Sequence, residues 1–169
     1  AARLADQRAR RRRRTDRVAR RALIAMEIHF PDGTMVRASG IAQRDAGAGW
    51  RAFGLYCDPA WSPDWPAAII DWPDFGVPAQ PEVAARQIEN AFARARRGEQ
   101  VEVGCLGGLG RTGTVLACMA VLAGVPTANA VAWVRAHYRP EAIETAAQAA
   151  WVTWCAEWLA RNERNDRDA

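Results

Sequence analysis

Apolar residues along this chain alternate with a period of two in some stretches and follow a helical period in others, and the switches mark its elements. Ile28-His29-Phe30 and Met35-Val36-Arg37-Ala38 are short alternating runs around Pro31-Asp32-Gly33-Thr34. An Asp-Gly pair between such runs predicts a hairpin; the segment just before it, Ala22–Ile28, fits strand or helix. Residues 39–51, with Gly40, Gly47 and Gly49, predict a loop, and Ala52–Tyr56 a short strand. Prolines and tryptophans from Asp58 to Pro66 predict a packed irregular loop, and Ala67–Ile70 a buried strand. Pro81–Arg97 reads as a helix with Val83, Ile88, Ala91 and Phe92 on its inner face and Gly98 at C′. Gln100–Val103 is a strand again, and Val115–Ala123 an apolar helix ending near Gly124-Val125-Pro126. Thr127 is expected to cap the next helix, with Val131, Val134 and Tyr138 inward and Pro140 as its stop. Thr145-x-x-Gln148 forms a capping box for the last helix. Its apolar face holds Trp151, Val152, Trp154, Cys155, Trp158 and Leu159, and from about Asn162 the polar tail is expected to fray.

The chain has 169 residues, half of them hydrophobic, which suits one domain with one core. Its formal charge of +4 is unevenly placed. Arg3, Arg8, the run Arg10 to Arg14, Arg17, Arg20 and Arg21 crowd the first 21 residues against only Asp6 and Asp16. Residues 1–21 thus form a basic arm, expected to be flexible. Residues 22–161 are the folded domain and 162–169 a polar tail. A solvated charged segment accounts for the arm; an acidic partner such as RNA, a lipid head group or the acidic body is the functional alternative. Cys57, Cys105, Cys118 and Cys155 are too sparse for a disulfide framework and lack metal-ligand spacing. With no apolar leader ahead of a cleavage site and no run of membrane-spanning length, a cytoplasmic protein is expected. His29 and His137 read as structural.

The chemistry concentrates in Val101 to Val115, VEVGCLGGLGRTGTV. A buried strand leads into a glycine-rich loop, and the loop into a helix N-terminus. That layout binds phosphate, because loop N–H groups converge where the helix dipole is positive. The nucleotide P-loop ends in Gly-Lys-Ser/Thr, and this chain contains no lysine. Here Cys105 opens the loop and Arg111-Thr112 closes it. A helix N-terminus and a nearby arginine both favour a thiolate. Upstream stands Asp71-Trp72-Pro73-Asp74-Phe75-Gly76-Val77-Pro78.

Cys105-x5-Arg111-Thr112, preceded by Trp72-Pro73-Asp74, resembles the signature loop and mobile acid loop of the cysteine-dependent protein tyrosine phosphatases, small dual-specificity-like bacterial type. The resemblance spans roughly residues 28–160. It implies an α/β fold, a central mixed sheet flanked by helices with three helices after the signature loop. It implies phosphomonoester hydrolysis through a phosphocysteine intermediate, without cofactor or metal. Cys105 would be the nucleophile, and Arg111 the clamp on two phosphoryl oxygens. Asp74 would be the general acid, with Asp71 as its rival, and Thr112 would donate to the sulfur. Backbone N–H groups of Leu106, Gly107, Gly108, Leu109, Gly110 and Arg111 would hold the phosphate. Ile143-Glu144-Thr145-x-x-Gln148 resembles the family's late glutamine loop, so Gln148 would position water.

The chain departs from the family pattern at two places. The family's histidine, which shapes the loop and tunes the thiol, is Gly104. The first glutamine of the late loop is Glu144, whose carboxylate is expected to point away from a bound phosphate. The expected substrate is a phosphorylated protein. The alternatives are an RNA 5′-phosphate, a phosphoinositide, or a phosphate-binding module without turnover.

Overall fold

The structure, a computed structural model, describes residues 25–168; the arginine-rich segment 1–21 lies outside them. The Asp-Gly sequence makes its hairpin. β1 (Met26–His29) pairs antiparallel with β2 (Met35–Gly40), Ile28 opposite Val36. Gly33 turns the chain at φ +86°, where a side chain would be strained. The open choice for Ala22–Ile28 is therefore strand from Met26 onward, and the loop expected from residue 39 begins two residues later, because Ser39 and Gly40 still pair with the sheet.

β3 (Phe53–Tyr56), β4 (Ala67–Ile69) and β5 (Val101–Cys105) complete a five-stranded sheet in the order β1-β2-β5-β3-β4. β5 lies parallel between β2 and β3, with Gly40 opposite Cys105 and Tyr56 opposite Gly104. Three strands thus end at one level, and the C-terminal ends of parallel strands are where α/β sheets place ligands. All five residues of β5 are buried. Val101 and Val103 join the apolar core; Glu102 and Gly104 alternate to the opposite face, against segment 41–66. β4 corrects the expectation of a buried strand: it is shorter, pairs only with β3 at the sheet edge and is half-buried.

α1 (Pro81–Arg96) starts on a proline whose fixed φ suits the first helical turn. Its inner stripe is Ala84, Ala85, Ile88, Ala91, Phe92 and Ala95. Val83, expected inward, is 48% exposed; the alanines carry the close approach, and the stripe starts one residue later. Gly98 follows at φ +88°. α2 (Gly110–Leu122) is buried from Gly110 to Ala120 and packs against α1, β5 and the two later helices. A helix apolar on all sides belongs in the centre, so Leu116→Ala is expected to cost about 2–5 kcal/mol. A Cβ on Gly113 would come 2.8 Å from that of Ala142, so the glycine admits the turn before the last helix.

α3 (Ala130–His137) follows a short 3₁₀ turn, Thr127–Asn129, and Thr127 makes no capping bond to it. The chain needs that tight turn after Pro126 before it can redirect, and so the expected cap is displaced. α4 (Ala146–Asp168) opens on the predicted capping box: Gln148 N donates to Thr145 Oγ1 at 3.2 Å, and Thr145 N donates to Gln148 Oε1 at 3.3 Å. Trp151, Val152, Cys155, Trp158 and Leu159 are buried as the pattern predicts, and Trp154 is half-buried. The tail expected to fray from Asn162 continues as helix to Asp168. Asn162 Nδ2 bonds back to Trp158 O at 2.8 Å, and the Glu and Arg residues there favour helix. No helix among the described residues is long and apolar enough to cross a membrane.

Candidate active site

β5 delivers Cys105 to the top of the sheet, 3% exposed, and the chain then curls through Leu106–Leu109 into α2. Five carbonyls of this segment are held, three by other parts of the chain and two by α2 itself. Cys105 O accepts from Trp61 Nε1 at 3.1 Å, and Leu106 O accepts from Ile41 N at 3.1 Å. Gly108 O accepts from the Tyr138 hydroxyl. Leu109 O accepts from Gly113 N at 2.9 Å, and Gly110 O from Thr114 Oγ1 at 2.7 Å. A trans peptide plane points its C=O and the next N–H in opposite directions. Holding the carbonyls outward therefore turns the N–H groups of Leu106, Gly107, Leu109, Gly110 and Arg111 to the inner side. Gly108 N donates to Cys105 Sγ at 3.2 Å. Gly108 must be glycine twice over: its φ is +70°, and a Cβ would lie 2.8 Å from Gly40 N. Burial pushes the Tyr138 hydroxyl up to about 12, so it stays protonated and keeps donating to the loop.

Arg111 is buried beneath the loop's far end. Its Nη1 donates to Cys57 O at 2.7 Å and Trp72 O at 2.8 Å. Nη2 donates to Asp58 Oδ2 at 3.1 Å and lies 3.6 Å from Asp74 Oδ1. Nε is buried without a partner among the described residues. Thr112 is wholly buried, and its hydroxyl, expected on the sulfur, has no partner among the described residues.

Asp74 is half-exposed, and its Oδ1 accepts from Phe75 N at 3.0 Å. The loop around it is braced from within. Trp72 is buried against Trp151 with ring centroids 5.1 Å apart, and its Nε1 donates to Gly76 O at 2.7 Å. Gly76 N donates to Pro73 O at 3.0 Å, and Ala79 N to Asp71 O at 2.9 Å. Asp71, the rival acid, thus braces the loop through its backbone. Phe75 takes the left-handed conformation at φ +59° and exposes its ring. Its carbonyl accepts from Thr145 Oγ1 at 3.2 Å, which ties the acid loop to the start of α4.

Gln148 is fully buried, with Oε1 held by Glu144 N at 2.8 Å and Nε2 without a partner among the described residues. The Glu144 carboxylate lies against Gly110, leaving no room there for a methyl group. The cause is backbone geometry. Ile143 is held at φ +64°, and Arg135 donates to the carbonyls of Ala142 at 3.0 Å and Ile143 at 2.9 Å. That rigid turn carries Glu144 onto the helix start.

Asp58 and Trp61 were not singled out from the sequence. Their signal was positional: both follow directly on β3, a parallel strand adjoining the one that carries Cys105.

The Cys105 thiol, the buried Arg111 guanidinium and the Asp74 carboxylate thus gather at the C-terminal end of β5. The protein-tyrosine phosphatase family model matches residues 65–157, more than half of the chain, and the chain belongs to that family. It is a cysteine-dependent phosphatase. Among solved structures it is similar to Tk-PTP in its active form, with 25% identity over 77% of this chain and 96% of that one, TM-score 0.64. Kinase-associated phosphatase carrying serine for its catalytic cysteine matches at 12% identity over 82% and 96%, TM-score 0.68. Human DUSP28 matches at 15% over 79% and 94%, TM-score 0.58. The last two show the shared fold.

Proposed function

We propose that this phosphatase hydrolyses phosphotyrosine in proteins through a phosphocysteine intermediate on Cys105. The Cys105 thiolate attacks phosphorus, an S–P bond forms and the P–O bond to the leaving group breaks. Asp74 gives its proton to the departing oxygen. Arg111 and the inward N–H groups of Leu106 to Arg111 hold the three phosphoryl oxygens, where preorganised donors favour the transition state. Thr112 then assists sulfur as it leaves. Water, oriented by the free Nε2 of Gln148, attacks phosphorus, returns a proton to Asp74 and releases phosphate. The tryptophan-anchored stretch around Asp74 acts as the closing acid loop. A cytoplasmic setting, where thiols stay reduced, fits such a nucleophile.

One juxtaposition carries this reading. Asp74 Oδ1 lies 3.6 Å from the guanidinium of Arg111, so the acid loop and the loop that begins with Cys105 meet at one point. The exposed rings and branches of Phe75 and Leu106 at the rim favour an apolar, aromatic group beside the phosphate over a short alkyl one. RNA 5′-phosphate and phosphoinositide are the competing substrates, and an acidic partner for the arginine-rich segment is a separate expectation.

Initial rates should be compared on a phosphotyrosyl peptide, its phosphoseryl counterpart, a 5′-phosphorylated RNA and a phosphoinositide, with and without a chelator. The phosphotyrosyl peptide should be preferred and the chelator without effect. Cys105→Ser should be inactive while still binding tungstate. Preference for the RNA or lipid would overturn the substrate, and turnover by Cys105→Ser would overturn the mechanism.

A further inference from the structure

Gly104 stands immediately before the nucleophile, and its vacated side-chain space is filled. A Cβ built there would lie 2.6 Å from Trp61 Cζ2 and 3.0 Å from Cε2. Trp61 is wholly buried and fixed on every side. Its ring stacks on Tyr56 at 4.0 Å between centroids, with the planes 12° apart. Its carbonyl accepts from Arg44 Nε at 2.7 Å. Its single polar side-chain atom donates to the carbonyl of Cys105.

Beneath it lies a buried polar cluster. Tyr56 donates to Glu102 Oε1 at 2.8 Å, Arg51 Nε to the same oxygen at 2.7 Å, and Ser39 to Glu102 Oε2 at 3.1 Å. Trp65 Nε1 donates to the Tyr56 hydroxyl at 3.1 Å. A charge this deep is tolerated only when paired and hydrogen-bonded, so the cluster gives the indole a rigid seat. The turn that carries Trp61 begins at Asp58, whose Oδ1 caps Ala60 N at 2.9 Å and whose Oδ2 holds Arg111. One short strap, residues 58–61, therefore grips the signature loop at both ends, by Trp61 at Cys105 and by Asp58 at Arg111.

We propose that Trp61 is a positioning residue for the nucleophile: its indole N–H pins the Cys105 carbonyl and thereby aims the Leu106 N–H at the phosphoryl site and the thiolate. The physical link is the planarity of the 105–106 peptide, which cannot turn its N–H inward unless its carbonyl stays outward. The inference rests on Cys105 being the nucleophile.

Trp61→Phe keeps a ring over Gly104 and removes the donor. A neutral hydrogen bond of this kind is worth roughly a three- to tenfold effect. Tungstate binding should weaken by about that factor, and alkylation of Cys105 by iodoacetamide at pH 7 should slow similarly. The rising limb of the kcat/KM profile should move to higher pH. Trp65→Phe is the control. It strips a donor from the same buried cluster without reaching the loop, so it should lower the melting temperature and leave these three readouts in place. Should Trp61→Phe fail to fold, benzothienylalanine at position 61, which replaces N–H by sulfur in the same shape, carries the same expectation. Unchanged tungstate binding and alkylation in the folded variant, with Cys105→Ser inactive, would overturn the positioning role alone. Turnover by Cys105→Ser would remove the nucleophile and the inference with it.

Discussion

Glu144 and Gly110 are in van der Waals contact, so a carboxylate rests on the helix end to which the loop turns its N–H groups. Its charge opposes a bound dianion through solvent, where a unit pair at short range is worth about 1 kcal/mol or somewhat more. Glu144→Gln should therefore tighten inhibition by inorganic phosphate about three- to tenfold at low salt. The gain should shrink as ionic strength rises. Equal inhibition constants at all salt concentrations would show that the carboxylate turns aside when phosphate binds.

Arg111 cannot be replaced by lysine without loss. Its guanidinium reaches Cys57 O, Trp72 O and Asp58, and its Nε has no partner among the described residues. One ammonium cannot hold those anchors and also present a planar pair of donors. Turnover by Arg111→Lys should fall on the order of a hundredfold or more. Steady-state kinetics on an aryl phosphate checks this.

For Asp74, the leaving group is the diagnostic variable. Asp74→Ala should lose about 10² to 10⁴ in rate on an alkyl phosphate and far less on an activated phenol, whose oxygen leaves without a proton. Asp71→Ala should show no such dependence. If the two variants exchange behaviour, the acid is Asp71. Asp74→Ala should also hold its substrate long enough for capture and mass spectrometry.

Alkaline pH should weaken the fold through its thiols. Burial raises Cys57 well above the ordinary 9.0, helped by the neighbouring Cys105, and burial raises Cys118 in the same way. The folded chain therefore keeps protons that the unfolded chain gives up as pH climbs through 9. This stability is complete below pH 9 and is lost above it, by about 1.4 kcal/mol per thiol for each pH unit. Melting temperature should be level from pH 7 to 8 and fall above 9, and Cys118→Ala should flatten the fall. Cys57, Cys118 and Cys155, all buried, should be replaceable without the kinetic collapse of Cys105→Ser.

What could be read from the sequence was what neighbours along the chain decide. The hairpin at Asp32-Gly33, the loop between Cys105 and Arg111 and the capping box of Thr145 and Gln148 each depend on a few adjacent residues, and each formed where expected. Asp58 and Trp61 depend instead on β5 inserting beside β3, a pairing that no local pattern records. The contact of Glu144 with Gly110 could not be read from charge alone, because it depends on the backbone that carries the side chain, fixed by the positive φ of Ile143 and the grip of Arg135. Val83 was misplaced because a stripe of alanines outweighed one larger apolar residue in setting which side of α1 meets the sheet.

Among the described residues, the strand that comes last along the chain is the middle one in space, and this orders the assembly of the sheet. Until Val101–Cys105 arrives, the facing edges of β2 and β3 have no neighbour to pair with. A nascent chain that stops short of Cys105 carries two open strand edges, which are templates for aggregation. Bringing in β5 closes long stretches of chain at once, the kind of distant pairing that slows folding. The strand that seals the sheet also carries Cys105, so a chain whose sheet is still open has not yet assembled the proposed site.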